Sequence, residues 1–314
     1  MKQTNTPLSI GYTITGEGQL SFVELVRRYR EQIGEVYFAF PGTASGRSPL
    51  GEETGFTDYD AVYQLVEDLS GVAAMGVKLH LLFNAACYGE DALSVAHRNQ
   101  VFSVMSYLDS KGLYPQGVTT TSPVTAQILR SEDPDLEIRA SVNMRIGSIK
   151  GIQYVEHLFD SFCVSKDVNR DPETLQAMAE YLHKNGKKLS LLANSGCLRN
   201  CSMQTFHDNA VAHEAGIRTR ENIQGAAPAG CWAYLSKPEN YTAFLQNTWI
   251  RPEDLHHYDG VADIIKLATR MHSLPMLVVD AYAKRRYHGN LPDLFEPGHG
   301  RLFSPFVVDN DRFP

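Results

Sequence analysis

Short apolar segments alternate with amphipathic segments along most of this chain of 314 residues. Strand followed by helix, repeated about eight times, predicts parallel strands joined by helical crossovers. The candidate strands are residues 8–13, 36–40, 78–83, 117–121, 137–142, 161–165 and 188–193, with two later candidates at 249–250 and 262–267. The amphipathic segments between them include residues 22–33, 59–74, 91–108 and 172–183.

The composition of the strands favours a closed barrel over an open doubly wound sheet. Segments such as HLLF, LSLLA and DIIKL are apolar at nearly every position, which is typical of strands buried on both faces. The number of repeats, and a length somewhat above the roughly 250 residues usual for the fold, fit a TIM-like (β/α)8 barrel. After the first strand, GYTITGEG has the wrong spacing for a dinucleotide-binding turn.

We therefore predict an α/β fold in which residues 1–288 form a single (β/α)8-type barrel. Residues 289–314 are rich in turn-forming residues and show little periodicity, so we expect an extended C-terminal tail packed on the barrel. The apolar residues expected to anchor this tail are Leu294, Phe295, Phe303 and Phe306.

Charge and hydrophobicity restrict the partners of the chain. A net charge of -7 at pH 7 argues against strong non-specific binding to nucleic acid. No apolar run approaches the roughly 18 residues that would cross a membrane, and the first residues lack the apolar stretch of a secretory signal. We expect a cytoplasmic protein that acts on a small-molecule substrate.

Five cysteines are the most informative polar residues, and their odd number in a long chain argues against a disulfide scaffold. Cys87 and Cys197 each follow an Asn that ends an apolar strand, in LLFNAAC and LLANSGC, so both loops should open at the same rim of a barrel. If a helix begins near residue 198 or 199, Cys197 and Cys201 face its N-terminal end, where the helix dipole favours thiolate. Cys163 lies inside an apolar strand and is better interpreted as a buried small hydrophobe.

Four thiolates match the ligand count of a 4Fe-4S cluster or of an all-cysteine zinc site. Spacing does not distinguish the two metals, because thiolates bind both, and it leaves open whether Cys87 or Cys163 supplies the fourth ligand. Packing in the core is the alternative for each cysteine taken alone. The candidate ligands are Cys87, Cys197, Cys201 and Cys231.

Cationic side chains also follow the later strands. Arg251, Lys266 and Arg270 would suit an anionic substrate through bidentate contacts, although a network of salt bridges is a competing interpretation. Lys266 on the last strand could form a Schiff base with a carbonyl substrate. The alternative for Lys266 is an ion pair with Asp254 or Asp263.

His207 follows the cysteine loop, and we expect it to order that loop as a hydrogen-bond donor, with a capping or surface role as the alternative. A metal site built from His207 and His213 is disfavoured, because residues six apart lie on different sides of a helix. No G-x-S-x-G or H-E-x-x-H motif is present in the sequence, which gives a proteolytic mechanism little support.

The last third of the chain resembles peptidase family U32, the collagenase-like proteins. The resemblance rests on LLANSGCLRNCSMQTFHDNAVAHE, CWAYLSKPENY and WIRPEDLHHYDGVADIIKLATR, and it is best over residues 188–285. A family segment of the form S-P-x-D-L followed by G-V-x-x-x-K-I-x-G-R has its counterparts in RPEDL and in GVADIIKLATR. The chain departs from the family at Thr269, where the family has Gly, and at Ser165-Lys166-Asp167, where it has Arg-Glu.

Short iron–sulfur members of this family resemble the ubiquinone-hydroxylation accessory proteins. The resemblance implies a 4Fe-4S cluster held by Cys87, Cys197, Cys201 and Cys231, in an enzyme for oxygen-independent hydroxylation, or a related redox modification, of a small organic or RNA-base substrate. Alternatives are a metal-stabilised module that docks a related U32-type barrel protein, and a peptidase, as the family name states.

Overall fold

The computed structural model describes residues 5–15, 18–43, 45, 59–213, 230–298, 303–305 and 307–313. Within them, eight strands form a closed barrel in sequence order, each parallel to its neighbours, with the last strand paired to the first. The predicted TIM-like α/β barrel is therefore confirmed. The strands are β1 Leu8–Gly11, β2 Ile33–Ala39, β3 Lys78–Phe83, β4 Gly117–Thr120, β5 Glu137–Ala140, β6 Ser161–Cys163, β7 Lys188–Leu192 and β8 Ile264–Leu267.

Helices surround the barrel and bury one face against the strands. Several begin at a residue whose side chain accepts a hydrogen bond from a backbone N–H in the first turn, as Ser94, Ser122 and Asp171 do. The helices are α1 Phe22–Arg28, α2 Tyr59–Ala74, α3 Val95–Ser110, α4 Pro123–Glu132, α5 Ile149–Val155, α6 Pro172–Lys184, α7 Gln204–Ala212, α8 Gly230–Leu235, α9 Thr242–Leu245 and α10 Pro275–Lys284. None of the described helices is both long and apolar enough to span a membrane.

Three sequence-based assignments of secondary structure are wrong, one of them the helix start near residue 198 or 199, since α7 begins at Gln204. The helix expected over residues 22–33 ends at Arg28, and Ile33 already begins β2. Residues 249–250 do not form a strand, although both side chains are buried. The N–H of Ile250 donates a single hydrogen bond of 2.8 Å to the carbonyl of Ala193, just beyond β7. Burial produced the apolar signal there without a ladder of strand hydrogen bonds.

Part of the C-terminal tail packs beside the loop that follows β7. Leu294, Phe295 and Phe303 are buried, and the Phe295 ring stacks on Trp249 with centroids 5.0 Å apart. Glu296 forms an isolated bridge with Ser195. Phe306, the fourth expected anchor, lies outside the described residues. The tail thus reaches the carboxyl-end rim of the barrel, and the boundary at residue 288 stays a prediction.

The barrel interior near the amino ends of the strands is charged, and we call this group of residues the floor. The Arg139 guanidinium donates to both carboxylate oxygens of Glu35, at 2.5 and 3.0 Å, and to Glu137 at 3.0 Å. The Ser9 hydroxyl donates to Glu35 at 2.6 Å, and the Lys188 ammonium to Glu137 at 2.6 Å. Each buried charge of the floor therefore has an opposite charge in contact with it, as burial requires.

The pKa values of the floor follow from this pairing. Burial alone would raise the pKa of Glu35, but the Arg139 guanidinium outweighs it and holds the pKa well below its usual range. The same opposition lowers the pKa of Glu137 to about 2. Burial, reinforced by Arg139, lowers the pKa of His80 to about 3, so His80 is neutral and its 3.7 Å approach to Glu35 is no ion pair.

Candidate functional site

Polar and charged residues at the carboxyl ends of the strands surround a cavity of about 200 Å³, which we call the mouth cavity. This end of a (β/α)8 barrel is where catalytic residues lie in enzymes of the fold. Of the residues expected to hold substrate, Lys266 and Arg270 line it, and so does His207, which was expected to order the cysteine loop. Its other polar lining residues are Tyr37, Asn84, Asn143, Asp208 and Glu296.

Arg251, the third cation expected at this site, is not brought to the mouth cavity. Its guanidinium instead donates to both carboxylate oxygens of Asp254, at 2.9 and 2.8 Å. This contact raises the pKa of Arg251. The salt-bridge interpretation therefore describes Arg251 better than substrate binding does.

The two Asn residues that end apolar strands before cysteine loops have different surroundings. Asn194, after β7, is fully buried, and its amide bonds the N–H and the carbonyl of Ala268 and the carbonyl of Leu294. It thus ties the end of β7 to the end of β8 and to the C-terminal tail. Asn84, after β3, lines the mouth cavity, where its own carbonyl lies 3.4 Å from the Asn143 side-chain amide. The repeated sequence pattern marks one structural and one cavity-lining residue.

The loop that carries Cys197 and Cys201 is irregular backbone, not the start of a helix. Cys197 and Cys201 both precede α7, which begins at Gln204, so the expected helix start near residue 198 or 199 is wrong. Asn200 has a φ of 53°, which interrupts a right-handed helix. Its N–H donates to the carboxylate of Asp167 at 2.9 Å. Tertiary contacts of the loop therefore outweigh its local helical pattern.

Asn247 and Thr248, which precede β8, also hold the loop that carries Cys197. The Asn247 amide accepts from the Arg199 N–H at 3.1 Å and donates to the Gly196 carbonyl at 3.1 Å. The Thr248 hydroxyl donates to the Cys197 carbonyl at 3.1 Å. The position of Cys197 is thus fixed by hydrogen bonds to residues about fifty positions away, which no local pattern reveals.

Lys166 is the partner of Cys197. It begins the segment after β6 and is buried, and its ammonium lies within hydrogen-bond reach of the Cys197 sulfur. Burial would lower the pKa of Lys166, but the charge and hydrogen bond of Cys197 outweigh it and raise that pKa. The structure therefore places a buried cationic group beside the Cys197 sulfur.

Cys231 lies near the loop cysteines. Cys201 and Cys231 line one open cavity of about 710 Å³, which we call the thiol cavity. Burial raises the pKa of the Cys231 thiol, and repulsion from Cys197 and Cys201 adds to the increase. Gly230 permits the approach, because a β-carbon there would lie 2.2 Å from the Met203 sulfur. Three of the four expected ligands are therefore neighbours.

Cys87 is placed differently. Its sulfur accepts a hydrogen bond of 3.4 Å from the N–H of Gly89 in its own loop. That loop lies against His213, just beyond the C-terminal end of α7, whereas Cys201 precedes the N-terminal end of this helix. Among the described side chains, no three or more His, Cys, Asp or Glu are close enough together to hold a metal ion. Cys163 is buried inside the barrel, as expected.

Helix α7 brings His207 to the mouth cavity, and the residues just before this helix line the thiol cavity. Arg145 holds this helix, donating to the Thr205 hydroxyl at 2.8 Å and to the Asp208 carboxylate at 2.9 Å. His207 therefore lies at the mouth cavity, and its predicted role in ordering the cysteine loop stays a prediction.

Lys266 projects into the barrel beneath the mouth cavity. Its ammonium lies 4.1 Å from the centre of the Tyr37 ring, a cation–π contact. The Tyr37 hydroxyl donates to the Leu267 carbonyl at 2.7 Å. Gly11 makes room for this ring, because a β-carbon there would approach it to 2.7 Å. Tyr37 was not among the residues predicted for the site. The glycine in the first strand, Gly11, is the sequence feature that indicates a side chain packed closely against that strand.

Comparison with known proteins supports a relationship along most of the chain. No protein-family model matches the sequence. An uncharacterized protease of Methanocaldococcus jannaschii is 26% identical over 282 residues, which cover 86% of this chain and 77% of that protein. The structure of the U32 peptidase Mk0906 matches with a TM-score of 0.57 at 16% identity, over 85% of this chain and 94% of the other. At this identity the structural likeness shows a shared fold.

Proposed function

We infer that the chain belongs to the U32 peptidase family, and we propose that it is a redox enzyme that binds a 4Fe-4S cluster beside the mouth cavity. Support for the family comes from the relative matched over 86% of the chain and from the barrel shared with a U32 peptidase. The observation that carries the cluster proposal is that Cys201 and Cys231 line the thiol cavity together, with Cys197 close enough to raise the pKa of the Cys231 thiol.

The donor chemistry of this group fits an iron–sulfur cluster. Thiolates are the usual protein ligands of such clusters, and the Lys166 ammonium lies beside the sulfur of Cys197. The described side chains are not yet at ligand distances from one another. The thiols must therefore draw together on binding, as ligands do where metal binding is coupled to folding. Cys87 is the proposed fourth ligand, and binding would bring its loop toward the other three cysteines.

A bound cluster would supply one-electron chemistry next to the substrate. The residues of the chain supply the rest. Arg270 and the amides of Asn84 and Asn143 are polar groups in the lining of a small cavity in which a substrate can be held and oriented. Lys166 holds Cys197, and Arg145 holds the helix that carries His207 over the cavity. We propose a small organic or RNA-base substrate and oxygen-independent hydroxylation, or a related modification, as the reaction.

Anaerobic purification tests this proposal. The wild-type protein should be brown and contain about four irons per chain. The C197S and C201S variants should lose the iron, whereas a C163A variant should keep it because Cys163 lies inside the barrel. A colourless wild-type protein that binds only zinc would contradict the cluster. If C197S also unfolds, the metal has a structural role, as in the binding-module alternative.

Peptide hydrolysis is a second candidate, favoured by one contact. Cysteine is one of the side chains that act as catalytic nucleophiles, Cys197 lies beside the Lys166 ammonium, and the matched Methanocaldococcus protein is described as a protease. Cleavage of a peptide panel by metal-free protein, lost in C197S but kept in C163A, would support hydrolysis. Absence of cleavage by metal-free wild-type protein would reject it.

A further inference from the structure

None of the described residues forms an ion pair with the Lys266 amine, which lines the mouth cavity. The residue is 9% exposed, and its ammonium makes no hydrogen bond or ion pair with any of the described residues apart from the cation–π contact with Tyr37. Buried lysines are normally paired with a carboxylate. An unpaired lysine that lines a cavity is therefore a candidate for a chemical role.

The acidic residues that might have paired with Lys266 are bound elsewhere. Asp254 accepts from Arg251. Asp263 lies 2.9 Å from the His183 ring nitrogen and accepts from the backbone N–H of Leu189 at 2.7 Å. The alternative considered from sequence, an ion pair of Lys266 with Asp254 or Asp263, is therefore wrong.

From this geometry we propose that Lys266 is an amine nucleophile that forms an imine with a small 2-oxo acid bound in the mouth cavity. The proposal goes beyond the cluster chemistry and does not depend on it. Arg270 and Lys266 both line this cavity, so a carboxylate held by Arg270 would place the adjacent carbonyl carbon near the amine. A volume of about 200 Å³ suits a molecule of a few heavy atoms.

The reaction needs no oxidant or reductant. The neutral amine attacks carbon 2 of the oxo acid and forms a C–N bond. The carbonyl oxygen then leaves as water, carrying the two hydrogens that the amine gives up, and a C=N bond remains. Once protonated, the imine withdraws electrons from the neighbouring carbon, which is how lysine amines activate carbonyl substrates.

Burial supports this role by keeping part of the amine neutral. It lowers the pKa of Lys266 to about 8, with Arg270 and Arg139 lowering it further and Cys163 and Glu35 opposing them. Roughly a tenth of the amine is then neutral at pH 7 and about half at pH 8. An ordinary exposed lysine, with a pKa near 10.4, is protonated almost completely at either pH.

Reductive trapping on the full-length wild-type protein tests the proposal. With pyruvate and cyanoborohydride at pH 7, peptide mass spectrometry should find one dominant adduct, on Lys266, with the mass of pyruvate less one oxygen. Hydroxyacetone, a ketone of similar size without the carboxylate, should label Lys266 at least tenfold less. Labelling of exposed Lys111 equal to that of Lys266 would overturn the imine, and equal labelling by both ketones would overturn the 2-oxo acid.

Matched variants separate this result from the cluster proposal. K266R should remove the dominant adduct, whereas K188R, which changes a lysine paired with Glu137 at the floor, should keep it. C197S, expected to lose iron, should still form the adduct on Lys266. An adduct that disappears in C197S while the variant stays folded would contradict the independence of the two sites. Because the wild-type labelling pattern is decisive, a variant that fails to fold leaves the test intact.

Discussion

The two ends of the barrel interior differ in how their buried charges are paired. At the floor, Glu35, Arg139 and Glu137 are buried in mutual contact, with Ser9 completing the hydrogen bonds of Glu35. At the mouth cavity, the buried ammonium of Lys266 contacts the face of the Tyr37 ring and forms no ion pair within the part of the chain that the structure describes. Both groups lie inside the same ring of strands, so the difference is one of pairing more than of burial.

This contrast separates stability from chemistry within one barrel. Removing one partner from a buried ion pair is strongly destabilising, because the remaining charge is left without compensation. A buried amine without a counter-ion costs stability in the native protein itself, which is tolerated where function needs a reactive group. Enzymes with the (β/α)8 fold are divided in the same way, with residues for stability at the amino ends of the strands and catalytic residues at the carboxyl ends.

The largest expected effect on stability follows from removing one partner of the ion pair between Arg139 and Glu35 at the floor. Replacing Arg139 with Met should lower the free energy of unfolding by about 3–5 kcal/mol, because Glu35 is left buried and unpaired. Chemical denaturation measures this change. Arg98→Met is the matched control, since Arg98 pairs with Glu132 at 3.7 Å on the surface, where a pair contributes about 0–1 kcal/mol. Equal losses in the two variants would show that the floor pairing is unimportant.

Lowering the pH should also destabilise the protein, through protonation of Glu137 at the floor. In the unfolded chain a glutamate takes up its proton near pH 4.5, whereas Glu137 in the folded protein does so only near pH 2. Since the folded state then binds fewer protons, stability falls as the pH decreases from about 4.5 to about 2, by roughly 2–3 kcal/mol from this residue. Denaturation curves at several pH values measure the slope. E137Q should show a shallower slope, and an unchanged slope in E137Q would contradict this assignment.

Replacing Lys266 at the mouth cavity should change the stability by a smaller amount and in the opposite direction. K266M should stabilise the protein by about 1–3 kcal/mol at pH 6, because it removes the cost of keeping a buried ammonium. The unfolded chain holds this proton up to about pH 10.5 and the folded protein only to about pH 8, so the advantage should shrink as the pH rises between these values. Thermal unfolding measures it. K188M removes a paired lysine and should not stabilise; a stabilised K188M would remove the contrast between the two ends.

The fold was predictable because both faces of each strand are buried, so strands such as β3 and β7 appear in the sequence as continuous apolar runs. The same signal misled at residues 249–250, where burial comes from Phe295 stacking on Trp249 and not from strand pairing. Sequence periodicity reports burial, and it does not report which hydrogen bonds a buried segment makes.

The site was predictable only in outline. The cysteines and the cations after the later strands were visible as residue types, and the barrel brings Cys197, Cys201 and Cys231 near one another. The environment of Lys266 was not visible, because it depends on Asp254 and Asp263 being bound elsewhere and on Gly11 admitting the Tyr37 ring. These are contacts between residues far apart in the chain, and composition and spacing carry no record of them.

The content of iron and acid-labile sulfide per chain, measured after anaerobic purification, tests the proposed 4Fe-4S cluster beside the mouth cavity most directly. We expect about four of each in the wild-type protein and in C163A. We expect less than one in C201S, whose thiol lines the thiol cavity together with Cys231. A wild-type protein without iron, or a C201S variant that keeps its full iron and sulfide, would contradict the account.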